Sequence, residues 1–126
     1  MAAPNIVNVT TITGITTFVR NISVTDSTVI VSNPASSNKV LKINTLMAAG
    51  IGNTIGVSFT LHNAAAAGVG HSVSIGTTVA VPTGSSLVVI GKDNPIYLEE
   101  NRSIGATLQS GIGGTCHVLC SYEEIS

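Results

Sequence analysis

From Val81 to Leu108 the chain carries three apolar runs, each shorter than a helix needs and each closed by turn-forming residues. Leu87 to Ile90, Ile96 to Leu98 and Ile104 to Leu108 are separated by Gly91-Lys92-Asp93-Asn94-Pro95 and by Glu99-Glu100-Asn101-Arg102-Ser103. The last two alternate, with Ile96 and Leu98 set against Tyr97 and Glu99, and Ile104, Ala106 and Leu108 against Gly105 and Thr107. Period-two alternation in short segments is the pattern of half-buried strands. Three strands joined by short turns predict a β-meander here.

The remainder has the same grammar. Ile15 to Val24 and Thr28 to Val31 flank the turn Thr25-Asp26-Ser27. Phe18, Ile22 and Val24 share one parity and Val29 and Val31 another, which predicts a hairpin with one buried face. Arg20 falls on the buried parity, so its strand either lies at an edge where the guanidinium reaches water or meets a partner carboxylate. Ser32 to Asn38 reads as a loop opened by Asn33-Pro34. Lys39 to Met47 reads as a strand with Leu41, Ile43 and Met47 on one face. In Gly56 to His62 the pattern puts Val57, Phe59 and Leu61 inward and Ser58, Thr60 and His62 outward. His71 to Val81 follows with Val73, Ile75, Thr77, Val79 and Val81 on one side, and Thr115 to about Glu124 is the last strand. Eight or nine strands at this spacing predict an all-β fold, a single antiparallel β-sandwich over residues 15 to 126, with jelly-roll connectivity preferred to an immunoglobulin-like one. Residues 1 to 14 read as an N-terminal arm or an edge strand.

Charged residues make up 9% of the 126 positions, against about 25% in an ordinary soluble domain. Thr, Ser, Asn and Gly stand in their place. Such a surface has little charge repulsion to keep copies apart and few Lys to guard strand edges. It reads as a surface made to be covered. A formal net charge of -1, with Lys and Arg scattered at positions 20, 39, 42, 92 and 102, offers no basic stripe for nucleic acid. Mean hydropathy is high at +0.48, yet Gly, Asn, Thr or Ser interrupts every apolar run short of the roughly 18 residues a membrane span requires. The opening residues show no basic segment followed by an apolar block, so the expectation is a protein made in a cytoplasm and kept soluble. Cys116 and Cys120, four apart on a strand, would have Cα atoms about 13 Å apart at about 3.3 Å per residue, too far to bridge. Both are expected to point inward with Val118 as small apolar groups.

Reaction chemistry finds no foothold in these motifs. His62, His71 and His117 have neither His-x-His nor His-x-x-x-His spacing and no carboxylate at ligand distance in sequence, so no metal or cofactor is expected. The glycines at 50 and 52 and from 111 to 114 fit turns, matching neither phosphate-loop pattern. Glu99 and Glu100 are adjacent, so on a strand they face opposite ways and cannot flank one bond; a solvated turn paired with Lys92 or Arg102 is the expectation. Two Phe, two Tyr and no Trp, with Phe18 and Phe59 on expected buried faces, leave little for stacking on sugars. The chain does not read as an enzyme.

Four stretches carry a likeness to known proteins: Met1 to Val9, Val31 to Ile43, Ser86 to Asp93 together with Ile96 to Glu100, and Ser121 to Ser126. With these the chain resembles small β-sandwich virion structural proteins of tailed bacteriophages, of the marine cyanophage type. The resemblance implies a capsid decoration or cement protein held in many copies on the virion, synthesised in the host cytoplasm, with the major capsid protein or other virion proteins as partners. No catalytic residues transfer. A lattice of repeated sites favours a homotrimer on a local three-fold, with Asn5, Ile6, Val7, Val9 and Ile12 of the arm and Asn33 and Pro34 of the loop as contact residues. A neck or tail component and a host-surface glycan-binding module are the other readings.

Overall fold

The computed structural model describes residues 9–22, 27–65, 71–109 and 115–126. Among the described residues nine strands run β1 (Ile12–Val19), β2 (Thr28–Asn33), β3 (Val40–Ile51), β4 (Ile55–His62), β5 (Ser72–Val81), β6 (Ser86–Ile90), β7 (Ile96–Leu98), β8 (Arg102–Leu108) and β9 (Thr115–Ile125). They form two antiparallel sheets. The first has the order β1-β9-β3-β6, with β7 also on β3, and the second has the order β2-β8-β4-β5.

Leu41 to Ile43 pair with both β9 and β7, and Leu46 to Ala49 with both β9 and β6, so β6 and β7 share the edge of β3 that β9 leaves free. Taken as one interrupted strand they complete a simple rule: β1 pairs β9, β2 pairs β8, β3 pairs β6 and β7, and β4 pairs β5. The chain is one long antiparallel hairpin with its tip between β4 and β5. It is coiled so that β9 also meets β3 and β8 also meets β4. That is jelly-roll connectivity, two Greek keys in two packed sheets.

Between the sheets lies one apolar core. Ile43, Leu46, Ala48, Leu98, Val118 and both cysteines enter it from the first sheet, and Val57, Phe59, Ile104 and Ala106 from the second, all fully buried. The inward reading of Cys116 and Cys120 holds, and both are free thiols. Burial pushes the Cys120 thiol up to about 12. Cys116 rises to about 11 by burial as well, eased by a backbone hydrogen bond from Ala49. Both values stand above the ordinary thiol value of 9.0. The folded protein therefore holds these protons where the unfolded chain releases them, so the thiols' stabilising contribution is full below pH 9 and is lost as pH rises through about 11 and 12. Two outcomes follow: slow reaction of native protein with a thiol reagent at pH 8, and a urea midpoint that falls with pH only above about 9.

Several local expectations are corrected by non-local pairing. The segment from Val81 to Leu108 is not a meander: β6 and β7 both dock on β3, whose twelve residues are long enough for both, and β8 crosses to the second sheet. Ile15 to Val24 and Thr28 to Val31 do not form a hairpin, since β1 and β2 lie in different sheets; of that expected pair, Val24 and most of the turn fall in 23–26, outside the described residues. On β1 the inward parity is Ile15, Thr17 and Val19, which leaves Phe18 facing outward, 71% exposed. On β3 a register shift between Ile43 and Thr45 reverses the alternation, so Leu46 and Ala48 replace Met47 on the inner face. On β5, Val73 is exposed although it lies opposite Leu61, which packs against the core.

On the second sheet His62, expected outward, is buried, as is its register partner Ser103. The segment after β4 folds over Ser103, whose hydroxyl donates to the Ala64 carbonyl at 2.7 Å, while the Ala65 amide donates to Asn101 Oδ1 at 3.1 Å. His62 Nε2 lies 2.8 Å from Thr60 Oγ1.

Candidate interaction surface

Outward-facing residues of the first sheet form a surface whose make-up follows from strand register. Phe18 on β1 lies opposite Leu119 on β9, Leu119 opposite Met47 on β3, and Met47 opposite Val88 on β6. One apolar row thus crosses all four strands, side by side at the spacing of direct cross-strand partners. Phe18 and Val88, at its ends, are 71% and 58% exposed. The next row carries His117 on β9, Ala49 on β3 and Ser86 on β6, with Arg20 just past the end of β1. Together Phe18, Arg20, Met47, Ala49, His117 and Leu119 line a shallow cleft of about 280 Å³. Arg20 is its one permanently charged lining group; expected on the buried parity, it lies instead on the outward side with Phe18, so its exposure needs no snorkelling.

Bordering this surface is an edge of unusual regularity. Edge strands tend to be protected by bulges, Pro, Lys or shortness. The β2, β5 and β6 pairings each contain a register shift, and β7 has only three residues. β1 pairs with β9 over eight consecutive residues, from Ile12↔Ile125 to Val19↔Val118, with no shift. Its sequence, ITGITTFV, has neither charge nor Pro.

The residues expected to make contacts lie in several places. Asn5, Ile6 and Val7 are outside the described residues. Val9 is half-buried, and Ile12 opens β1, 57% exposed on the outer side. Ile12 to Gly14 thereby belong to the sandwich itself, as its edge strand. Pro34 is exposed on its loop, but Asn33 is buried and makes hydrogen bonds only inward: Nδ2 donates to the Lys39 carbonyl at 2.9 Å and the Leu98 carbonyl at 3.0 Å, and Oδ1 accepts from Ser37 Oγ at 2.5 Å. Asn33 is a structural residue of the loop. Phe18, Leu119, Met47 and Val88 were missed. Their one sequence signal is that β1 is apolar on both parities, Ile12 and Phe18 as well as Ile15 and Val19, more than one buried face can absorb.

The histidines are divided between surfaces. His62 and His71 line a cleft of about 210 Å³ with Arg102 and Asn63, whereas His117 is on the outer side of the first sheet. Among the described residues no three His, Cys, Asp or Glu side chains converge as metal ligands. Glu99 approaches Arg102 at 3.9 Å with both side chains exposed to water, a contact of little energetic weight. Glu100 does not fit the solvated turn expected of it: both carboxylate oxygens are buried and no donor among the described residues reaches them. Nothing in the structure explains that enclosure. Comparison with family models, with curated proteins and with solved structures finds no match to this chain.

Proposed function

We propose that this chain is a virion structural protein, a capsid decoration or cement subunit that binds in many copies to the major capsid protein of a tailed-phage head. What supports the reading is the outer side of the first sheet: an apolar row from Phe18 to Val88, with neither Asp nor Glu lining its cleft, beside an unguarded strand edge. The resemblance of the chain to phage virion proteins supplies the partner. Packing of this kind gains from each site only a modest free energy, and repetition over a lattice makes the attachment durable. A neck or tail subunit has use for the same surface, and location on the particle separates the two.

Exposure of Phe18 removes one reason for setting aside a glycan-binding module. A stacking platform still lacks a second ring, because Phe18 is on β1 and the other exposed aromatic, Tyr97, on β7, at opposite edges of the sheet. The test is labelled electron microscopy and copy counting on purified particles. Many copies spread over the head are expected; absence from the particle, or confinement to the tail, overturns the proposal.

A further inference from the structure

We propose that the open edge of β1 pairs antiparallel with β1 of a second copy, with Ile15 on the two-fold axis, joining two first sheets into one. The phase of the free hydrogen-bonding groups comes from the strand's inner neighbour. Thr11 and Ser126 exchange both backbone hydrogen bonds, N to O at 3.2 Å and 3.0 Å. Bonded and non-bonded pairs alternate along an antiparallel ladder. Thr11, Thr13, Ile15, Thr17 and Val19 therefore turn their N–H and C=O toward β9. Ile12, Gly14, Thr16 and Phe18 turn theirs to the open side, where among the described residues β1 has no neighbour in its sheet.

Centring a two-fold on Ile15 places Gly14 opposite Thr16 of the second copy and Ile12 opposite its Phe18. Both are pairs between residues whose backbone groups point outward, so the register satisfies the ladder. Side chains agree with it as well. Ile12 and Phe18, the two large exposed apolar groups of the strand, become direct cross-strand neighbours twice over. Gly14 has open space around it, with nothing within 4 Å of a Cβ built there, so Thr16 meets no obstruction. No charge within the strand is set against its own copy. A second copy is thus the occupant this edge fits, and the apolar row of each sheet gains Ile12 of the other copy as its next member across the axis.

A trimer on a lattice three-fold, the assembly expected from the sequence, uses heterologous contacts; this edge is self-complementary and closes as an isologous pair. The inference goes beyond the virion reading and is tested on free protein, so either can fail alone.

The purified protein should have a mass by light scattering about twice the 12.7 kDa of the chain. Thr16→Pro deletes an N–H that faces only the second copy, and Thr16→Lys puts a charge at the join. Both should give a single-chain mass with an unchanged β circular dichroism spectrum; the lysine variant keeps the test sound should the proline one misfold. Gly14→Cys and Thr16→Cys proteins, mixed, should form a disulfide dimer under mild oxidation, since bonded pairs have Cα atoms about 5.5 Å apart, within bridging range. Neither alone should do so to a comparable extent, and the buried native thiols stay silent. A single-chain wild type, which leaves β1 to a strand of some other protein, overturns the proposal. So does a trimer, a dimer indifferent to both Thr16 substitutions, or crosslinking by either cysteine variant alone as strong as in the mixture.

Discussion

Replacing Asn33 by alanine should cost the fold about 3 kcal/mol, far more than its loop position suggests. Asn33 closes β2 in the second sheet, and its amide donates to Leu98 of β7 in the first as well as to Lys39 at the start of β3. One buried side chain therefore ties the sheets together at the end where the loop of residues 34–39 turns. Removing it strands the buried Leu98 carbonyl and releases Ser37, whose hydroxyl also accepts from the Lys39 amide. An unsatisfied buried group costs about 1 to 3 kcal/mol on top of the bonds lost. Asn33→Asp should be worse at neutral pH, because it exchanges a donor for a negative oxygen facing two carbonyls. The check is urea unfolding of the two variants and wild type; a loss below about 1 kcal/mol for the alanine variant would refute the role given to this residue.

Phe59→Ala should cost about 3 to 5 kcal/mol. Phe59 is the largest fully buried side chain, on β4 between β5 and β8, and so is held in the interior of the second sheet with no exposed edge toward which to relax. Its ring fills the space between two sheets whose spacing is set by many other residues, so the neighbours close the void only in part. Phe59→Leu retains most of the volume and should recover much of the loss. By comparison, removing the Lys39–Glu124 pair, 2.7 Å apart but 41% and 28% exposed, should cost less than about 1 kcal/mol. If Phe59→Ala unfolds at the wild-type urea concentration, the central packing described above is wrong.

Strand existence and the sandwich class were legible because alternation is local: β4, β7, β8 and β9 begin and end within about two residues of where apolar periodicity and turn formers place them. Inward parity was legible for Val57, Phe59, Leu98, Cys116 and Cys120 for the same reason. Parity failed where a second strand imposes a register shift, as on β3, where Met47 and Leu46 exchange faces. It failed on β1, where both parities are apolar and only packing decides. Pairing partners were not legible at all, because β1 finds β9 across the length of the chain and no local pattern encodes that. The same limit applies to the interaction surface. Its apolar row draws Phe18, Met47, Val88 and Leu119 from four strands distant in sequence, and the register that aligns them exists only after folding. Asn33 shows the converse: Asn-Pro does announce a turn, but whether the carboxamide turns to a partner or inward depends on Leu98, sixty-five residues later.

The order in which the strands are made has a consequence for biogenesis. β8 and β9, made after the other seven described strands, are the inner strands that join the halves of the second and first sheets respectively. Until they emerge, β1 and β2 have no ladder partner among the described residues, and β3 and β4 each lack one side. Most of the hydrogen-bonded framework, every ladder of β1 and β2 and one side each of β3 and β4, must close in a late event over long sequence separations, a slow class of folding reaction that leaves apolar strands open to aggregation meanwhile. Stalling translation after β7 should therefore yield a protease-sensitive nascent chain, and chaperone demand should be set by how soon β8 and β9 follow it.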